Sequence, residues 1–303
     1  MSLDADYIVD RRALKRRLLF WRLFAVLSLT IAAALVALRF EKPEFGDYIA
    51  RLSVSGIIVE DTDRDDALAK LAENSKARAL IIRIDSPGGT VVGGESLYRT
   101  LRAVAAKKPV VAVMGTTATS AAYMTAIAAD QIFAREGSIT GSIGVLMQTA
   151  NITGLLEKLG IEPDTIKSGP LKAQPNPFEP TSPAARKAIQ DVVMDMHGMF
   201  VDMVAERRGI AREGVLRLAD GRIYTGRQAL AVGLIDTLGG EGEARKWLNK
   251  TAELSADLPV HDVVIDREDE VWQKMFNGMV GKSLFSERLR LDGLISLWHP
   301  ESW

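Results

Sequence analysis

Two patterns of apolar and polar positions alternate along most of the chain. Short apolar runs of strand length lie at residues 49–59, 79–84, 110–114, 131–134, 142–147 and 163–166. Between and after them, apolar residues recur at helical spacing at 65–74, 93–106, 120–129, 151–159 and 184–208. Because strands and helices follow one another in this order, the pattern predicts an α/β fold with a mostly parallel sheet flanked by helices.

A separate apolar run lies near the N-terminus. Basic residues crowd positions 11–17, and the apolar run that follows at 18–38 is interrupted only by Arg22. This arrangement predicts a single-pass transmembrane helix at 18–38, with a cytoplasmic tail at 1–17 and an exported body. A cleaved signal peptide stays open as an alternative, because the alanines at 32–34 are the small residues that a signal peptidase accepts.

The remainder of the chain divides into three parts. Residues 39–47, which include a proline and a glycine, are typical of a linker, and the main folded domain is predicted at 48–250. In the C-terminal extension at 251–303, bulky apolar residues are interleaved with charges. This pattern predicts an element for oligomer packing or for a membrane surface, and a helix packed on its own core is the open alternative.

Composition narrows the classes of function. The chain has 303 residues, a formal net charge of -1, no cysteine and three histidines. The absence of cysteine excludes disulfides and thiolate catalysis, and three scattered histidines do not form the pattern of a histidine-rich metal site. Since no basic run lies in the body of the chain, we expect no nucleic-acid partner, and nothing in the sequence requires a cofactor or a metal.

Two loops that follow predicted strands carry candidate chemistry. Paired glycines end the loop Asp85–Gly89 (DSPGG), where they allow a sharp turn and outward-facing amides, as an oxyanion hole requires. A plain turn is the alternative. Ser120 lies in the loop and helix Gly115–Met124 (GTTATSAAYM), at a predicted helix N-terminus. Its hydroxyl would be exposed there, and the amide of Ala121 would point toward a bound carbonyl, although an ordinary serine N-cap would have the same sequence.

Lys172 is the candidate base. It lies in a loop with many prolines, which is unsuited to a helix and too apolar for a solvated run of charge. A lysine that is partly desolvated there would more readily be neutral, and only a neutral amine can take a proton from a serine hydroxyl. An ordinary surface lysine is the alternative reading.

Five segments in a fixed order give the chain a family resemblance. They are DSPGG (85–89), ATSAAYM (118–124), GSITGSIGV (137–145), KSGPLKAQPNPFEPTSP (167–183) and GRIYTGRQALAVGLIDTLGG (221–240). Together they resemble the signal peptide peptidase A family, the S49 serine peptidases, over about residues 48–240. The resemblance implies a ClpP/crotonase-like fold and a membrane-anchored peptidase that works without a histidine.

The resemblance also implies roles for individual residues. Ser120 would be the nucleophile and Lys172 the general base of a Ser-Lys dyad, with Ser142 orienting the lysine amine. The amides of Ala121 and Gly89 would form the oxyanion hole, with Gly88 as the less favoured choice instead of Gly89. The implied substrates are hydrophobic peptides such as signal-peptide remnants in the lipid bilayer. The implied location is the bacterial inner membrane, with the N-terminus cytoplasmic and the catalytic domain outside the cytoplasm, in a homo-oligomer.

One departure from the family pattern affects the site. The family usually has Ser-Gly-Gly at the nucleophile, whereas Ala121 and Ala122 follow Ser120 here. Alanine retains the amide, but a positive φ at this position would strain it. Two other classes stay open on sequence: a crotonase-type acyl-CoA enzyme and a non-catalytic membrane scaffold of the same fold.

Overall fold

The computed structural model describes residues 16–31, 46–255, 257–265 and 294–297. By internal contacts the chain divides into two compact units, Met1–Gly46 and Asp47–Trp303. The described part of the first unit is helix α1 (16–31), whose large apolar side chains are exposed. Within the described residues, no helix combines the length and the apolar character needed to cross a bilayer. Residues 32–38 of the predicted transmembrane segment lie outside the described residues.

The second unit is built on one sheet. Its described strands are β1 Tyr48–Ile58, β2 Ala77–Thr90, β3 Val110–Thr119, β4 Gln131–Ala134, β5 Ile139–Gly141, β6 Leu146–Met147, β7 Ile223–Thr225, β8 Thr237–Leu238, β9 Val260–Asp262 and β10 Leu294–Leu297. The strand order runs β6-β10-β2-β3-β4-β8, with β1 also paired to β2 and β9, and β5 paired to β3 and β7. The central pairs of β2 with β1 and β3, and of β3 with β4, are parallel. The predicted α/β class with a mostly parallel sheet is therefore confirmed.

Helices cover both faces of this sheet. They are α2 Thr62–Glu73, α3 Val91–Ala105, α4 Ala121–Ala126, α5 Thr153–Lys158, α6 Pro183–Arg208, α7 Arg212–Leu218, α8 Gly226–Ala231 and α9 Glu241–Ala252. Leu80 and Ile82 of β2 pack into the larger core cluster with α3, α4 and α6, while Ile81 packs with Leu248 of α9 in a second cluster. Alternate residues of β2 are thus buried on opposite faces, as is typical of a central parallel strand.

The predicted elements differ from the observed ones mainly at the ends of strands. β2 and β3 continue past their predicted ends at Ile84 and Met114, because their extensions pair with β1 and β5. Of the strand predicted at 142–147, only the last two residues form a strand, β6, and β5 ends just before the predicted segment begins. The strand predicted at 163–166 is wrong. That segment has neither helix nor strand, and Ile166 is 97% exposed, so no buried face stabilises a strand there.

The described parts of the C-terminal extension join the main sheet. β9 pairs in parallel with β1. β10 lies antiparallel to both β2 and β6, with Ser296 opposite Gly89 and Leu297 opposite Gly88. The bulky apolar residues between 266 and 293, on which the oligomer or membrane-surface interpretation depends, lie outside the described residues.

Candidate active site

Ser120 occupies a sharp turn between β3 and α4. Its backbone has φ 58 and ψ -122, a conformation that is rare outside glycine. The turn is fixed because the Ser120 N–H donates to the Gly141 carbonyl at 2.8 Å, while the Ser120 carbonyl accepts from Met124 N at 2.9 Å. Such backbone strain costs about 1–3 kcal/mol and persists where the surroundings over-determine it. The Ser120 side chain does not cap α4, so the alternative of an ordinary N-cap is wrong. The predicted exposure of its hydroxyl is also wrong for the single chain, because Ser120 is buried.

Ala121 is the first residue of α4 and is fully buried. Positive φ values near the turn occur at Ser120 and Ser142, and Ala121 has a helical backbone instead. The possible strain at Ala121 is therefore not found, and it is the serine itself that carries the unusual φ. The Ala121 methyl group faces Gly94 of α3, where a Cβ would approach within 2.9 Å of it. The glycine at position 94 thus leaves room for the methyl group of Ala121.

The DSPGG segment lies beside the end of β3. Ser86 is opposite Ala118 in the parallel ladder, and Thr117 N donates to the Asp85 carboxylate at 3.1 Å. Gly88 has φ 114, and a Cβ at Gly89 would lie 1.8 Å from the Ile58 carbonyl oxygen. Both glycines are therefore required by the backbone. The structure brings this loop and the Ser120 turn together at adjacent strand ends.

Ser142 follows β5 and lies next to the same turn. β5 runs parallel to β3, with Thr119 opposite Gly141, so the residue after Gly141 is placed beside Ser120. Ser142 is buried, has φ 50, and donates its N–H to the Arg222 carbonyl at 2.8 Å. The predicted neighbours Ser120 and Ser142 are thus brought together by the backbone ladder.

Lys172 is the predicted site residue that no described hydrogen bond or strand pairing links to the others. It lies in a turn closed by its own N–H, which donates to the Gly169 carbonyl at 3.1 Å, and its side chain is exposed. Within the described residues, the Lys172 ammonium makes no hydrogen bond or ion pair, and none joins it to Ser120. Lys167 of the same loop is ion-paired to Glu179. The expected desolvation of Lys172 is therefore not present in the single chain.

Ionisable groups around the Ser120 turn are tied to structural roles. Burial raises the pKa of Tyr123, whose hydroxyl donates to the Leu234 carbonyl at 2.9 Å, so this phenol stays protonated. Hydrogen bonds from Arg222 lower the pKa of Asp220. In the part of the chain that the structure covers, no cluster of three His, Asp or Glu residues could hold a metal ion.

Two hydroxyl residues of the site were missed by the sequence reasoning. Thr119 Oγ1 donates to the Pro87 carbonyl at 3.0 Å, and Gly88 N donates to Ser86 Oγ at 3.1 Å. Both residues are fully buried. The available signal was their position, because each is a small hydroxyl residue immediately before or within a loop that was already a candidate.

The strained serine turn beside a glycine loop, at the ends of parallel strands, defines an α/β protein with a candidate nucleophile site. Sequence profiles agree with this class: that of Peptidase family S49 matches residues 102–255, and that of Clp protease matches residues 55–138. The chain belongs to peptidase family S49, and the Clp match supports a ClpP-like fold.

The chain is also similar in sequence to individual proteins that are named proteases or peptidases. The chain is 41% identical to a candidate protease of Synechocystis sp. over 72% of this chain and 79% of that protein. It is 34% identical to a candidate signal peptide peptidase SppA of Enterococcus faecium, over 68% of this chain and 64% of that protein. It is also 30% identical to the chloroplastic serine protease SPPA of Arabidopsis thaliana, over 80% of this chain and 36% of that protein.

Among solved structures, a membrane-bound stomatin-specific protease designated 1510-N superimposes with a TM-score of 0.48 at 16% identity. The match covers 73% of this chain and 99% of that one.

Proposed function

We propose that the chain is a serine endopeptidase in which Ser120 attacks a peptide carbonyl and Lys172 is the general base. The observation that carries the proposal is the strained, buried turn at Ser120, fixed between Gly141 and α4 beside the DSPGG loop. A backbone conformation that costs free energy and has no capping role is typical of a nucleophile that must be presented at one point.

The reaction would proceed by acyl transfer. Neutral Lys172 accepts the Ser120 proton as Oγ attacks, and it then gives that proton to the leaving amine. A water molecule, deprotonated in the same way, hydrolyses the acyl-enzyme. The helical amide of Ala121 would be one donor to the oxyanion. Gly89 is favoured as the second donor, because the Gly88 N–H is already donated to Ser86 Oγ.

Lys172 must be brought to Ser120 for this reaction. The segment around it exposes large apolar side chains, which are Leu155, Leu159, Ile161, Ile166, Leu171 and Phe178. Exposed apolar surface of this extent is typical of an interaction surface. We propose that a second copy of the chain covers it in a homo-oligomer, and that the cover removes water from Lys172.

A peptide substrate would bind as an added strand. The edge of β2 at Gly88–Thr90 already pairs antiparallel with the chain's own segment Leu294–Leu297, which also pairs with β6. An extended peptide in that position would lie along the proposed oxyanion loop, and main-chain hydrogen bonds would hold it with little regard to sequence. This binding mode suits hydrophobic peptides such as signal-peptide remnants.

Membrane anchoring is a further part of the proposal. Helix α1 exposes Leu18, Phe20, Trp21 and Phe24, and basic residues precede and flank it. These features support a membrane-attached N-terminus in the cytoplasm, with the peptidase domain on the extracytoplasmic side of a bacterial inner membrane.

The test is covalent labelling of the full chain in detergent with a serine-directed fluorophosphonate, followed by turnover of a hydrophobic reporter peptide. We expect native protein to be labelled and active, and S120A and K172A to lose both properties. Lys70→Ala is the matched control for Lys172, because Lys70 is an exposed lysine of α2 away from the site. An unlabelled, inactive native protein favours the scaffold, and turnover of acyl-CoA in its place favours the crotonase-type enzyme.

A further inference from the structure

The peptide group between Pro87 and Gly88 is held at both ends by buried hydroxyls. Thr119 Oγ1 donates to its carbonyl oxygen at 3.0 Å, and its N–H donates to Ser86 Oγ at 3.1 Å. Both hydroxyl side chains belong to fully buried residues. This peptide plane therefore cannot rotate without breaking two hydrogen bonds that no water would replace.

The direction of each hydrogen bond is fixed by the backbone groups, because an N–H only donates and a carbonyl only accepts. Ser86 Oγ accepts from Gly88 N and donates its one proton to the Gly56 carbonyl of β1 at 2.6 Å. Thr119 Oγ1 donates to the Pro87 carbonyl. The two residues belong to neighbouring strands, since Ser86 lies opposite Ala118. Hydrogen bonds thus join the loop to β1 on one side and to β3 on the other.

These hydrogen bonds restrict the direction of the next amide, that of Gly89. With the Pro87–Gly88 plane fixed, the direction of the Gly89 N–H depends only on the backbone angles of Gly88, whose φ is 114. Thr119 is also the residue before Ser120. The Thr119 side chain therefore links the loop with the proposed oxyanion donor, Gly89, to the end of β3, which the proposed nucleophile Ser120 directly follows.

We infer that Thr119 and Ser86 are positioning residues for the peptidase reaction, which set the direction of the Gly89 amide relative to Ser120 Oγ. The inference rests on the proposed function. The two residues do not touch the substrate; they act through the Pro87–Gly88 peptide. A misdirected amide weakens stabilisation of the oxyanion while leaving the strand-like binding of the substrate unchanged.

The first experiment compares three threonine variants. T119V keeps the shape and removes the hydroxyl, T119S keeps the hydroxyl, and T140V is the matched control. Thr140 is also fully buried, and its Oγ1 donates to the Ala118 carbonyl at 2.7 Å, so T140V loses the same kind of bond elsewhere. We expect T119V to lower kcat about 10- to 100-fold with little change in KM. T119S and T140V should stay near native turnover.

A second measurement separates positioning from general loosening of the fold. A peptide boronic acid forms a tetrahedral adduct with the serine and uses the oxyanion hole, whereas substrate binding does not depend on it. T119V should weaken binding of the boronic acid by the same factor by which it lowers kcat/KM. S86A should have a similar effect. The double variant T119V/S86A should lower kcat by less than the product of the two single reductions, because both residues act on one peptide group.

The outcomes are distinguishable. If T119V matches T140V in kcat and in boronic acid affinity while native turnover depends on Ser120, the inference is overturned and the proposed function stands. If native turnover does not depend on Ser120, both are overturned. Should T119V fail to fold, as judged by thermal unfolding, S86A decides the question: an unchanged kcat there overturns the inference.

Discussion

The surroundings of Ser120 and those of Lys172 are built in opposite ways. The Ser120 turn is enclosed by β2, β3, β5 and α4, and its main-chain groups and neighbouring hydroxyls have assigned partners. The Lys172 turn lies in a proline-rich loop outside the sheet, with exposed side chains on both sides. A strained nucleophile needs a core that over-determines its backbone, whereas a lysine base needs dehydration. The single chain supplies the first requirement and lacks the second.

This difference indicates where regulation of the activity can lie. The Ser120 turn and the DSPGG loop are both formed within one chain, so their geometry should change little with conditions. In the proposed mechanism, the position and hydration of Lys172 depend on what covers the segment around it. We therefore expect activity to follow the assembly state of the protein more closely than its fold.

The largest effects should come from removing either member of the proposed dyad. S120A and K172A should each lower kcat by about 10⁴-fold or more, and the double variant should be no worse, because the two residues act as a unit. Peptide turnover at saturating substrate measures this. Equimolar mixing of S120A with K172A then sharpens the comparison: recovered activity means that the base comes from another copy. A K172A chain with native kcat would show that the exposed loop has no role in the chemistry.

The sequence alone predicted the surroundings of Ser120 better than those of Lys172. The DSPGG loop and Ser120 both follow predicted strands, and strand ends of a parallel sheet meet at one edge, so their proximity could be deduced. The place of Ser142 could not be deduced in this way, because it was predicted to begin the strand at 142–147 and instead follows β5. The positive φ at Ser120 could not be deduced either, because it depends on the hydrogen bond to Gly141. For Lys172, partial desolvation was expected from the apolar and proline residues around it, but neighbours such as Leu171 are themselves exposed and do not cover it.

The next largest effect should come from the proposed oxyanion loop. Gly89→Ala places a Cβ 1.8 Å from the Ile58 carbonyl oxygen, a clash with backbone that the neighbouring strand cannot avoid. We expect about 2–4 kcal/mol of destabilisation and loss of peptide turnover. Denaturant unfolding measures the destabilisation, and the reporter peptide measures the loss of turnover. Gly137→Ala is the matched control, since a Cβ there meets nothing within 4 Å and should leave both unchanged.

A smaller effect should follow from freeing the edge of β2. Segment Leu294–Leu297 pairs where the substrate strand is proposed to bind, so it should compete with the peptide. Deleting residues 294–303 should lower KM about 3- to 10-fold, because a self-occupied site reduces apparent affinity by the fraction occupied. Steady-state kinetics on both chains measure this. An unchanged KM with unchanged kcat would place the substrate elsewhere than beside Gly88–Thr90.

The smallest effect concerns Asp220, which supports the backbone near the Ser120 turn. Asp220 accepts hydrogen bonds from Arg222, whose carbonyl in turn accepts the Ser142 N–H. The Arg222 side chain lowers the pKa of Asp220, so this carboxylate has a lower pKa in the folded chain than in the unfolded one. Its stabilising contribution is therefore complete above the unfolded value of about 4 and is lost as the pH falls through the folded value.

D220N should accordingly lower Tm slightly at pH 7, and the difference from native should shrink as the pH falls below about 4. Thermal unfolding across that range measures it. Asp164→Asn is the control, because Asp164 is an exposed carboxylate in the Lys172 half and should leave Tm unchanged. A D220N effect that persists at the lowest pH would mean that Asp220 acts through shape and not through its charge, and that the backbone around Ser142 is held by the ladder alone.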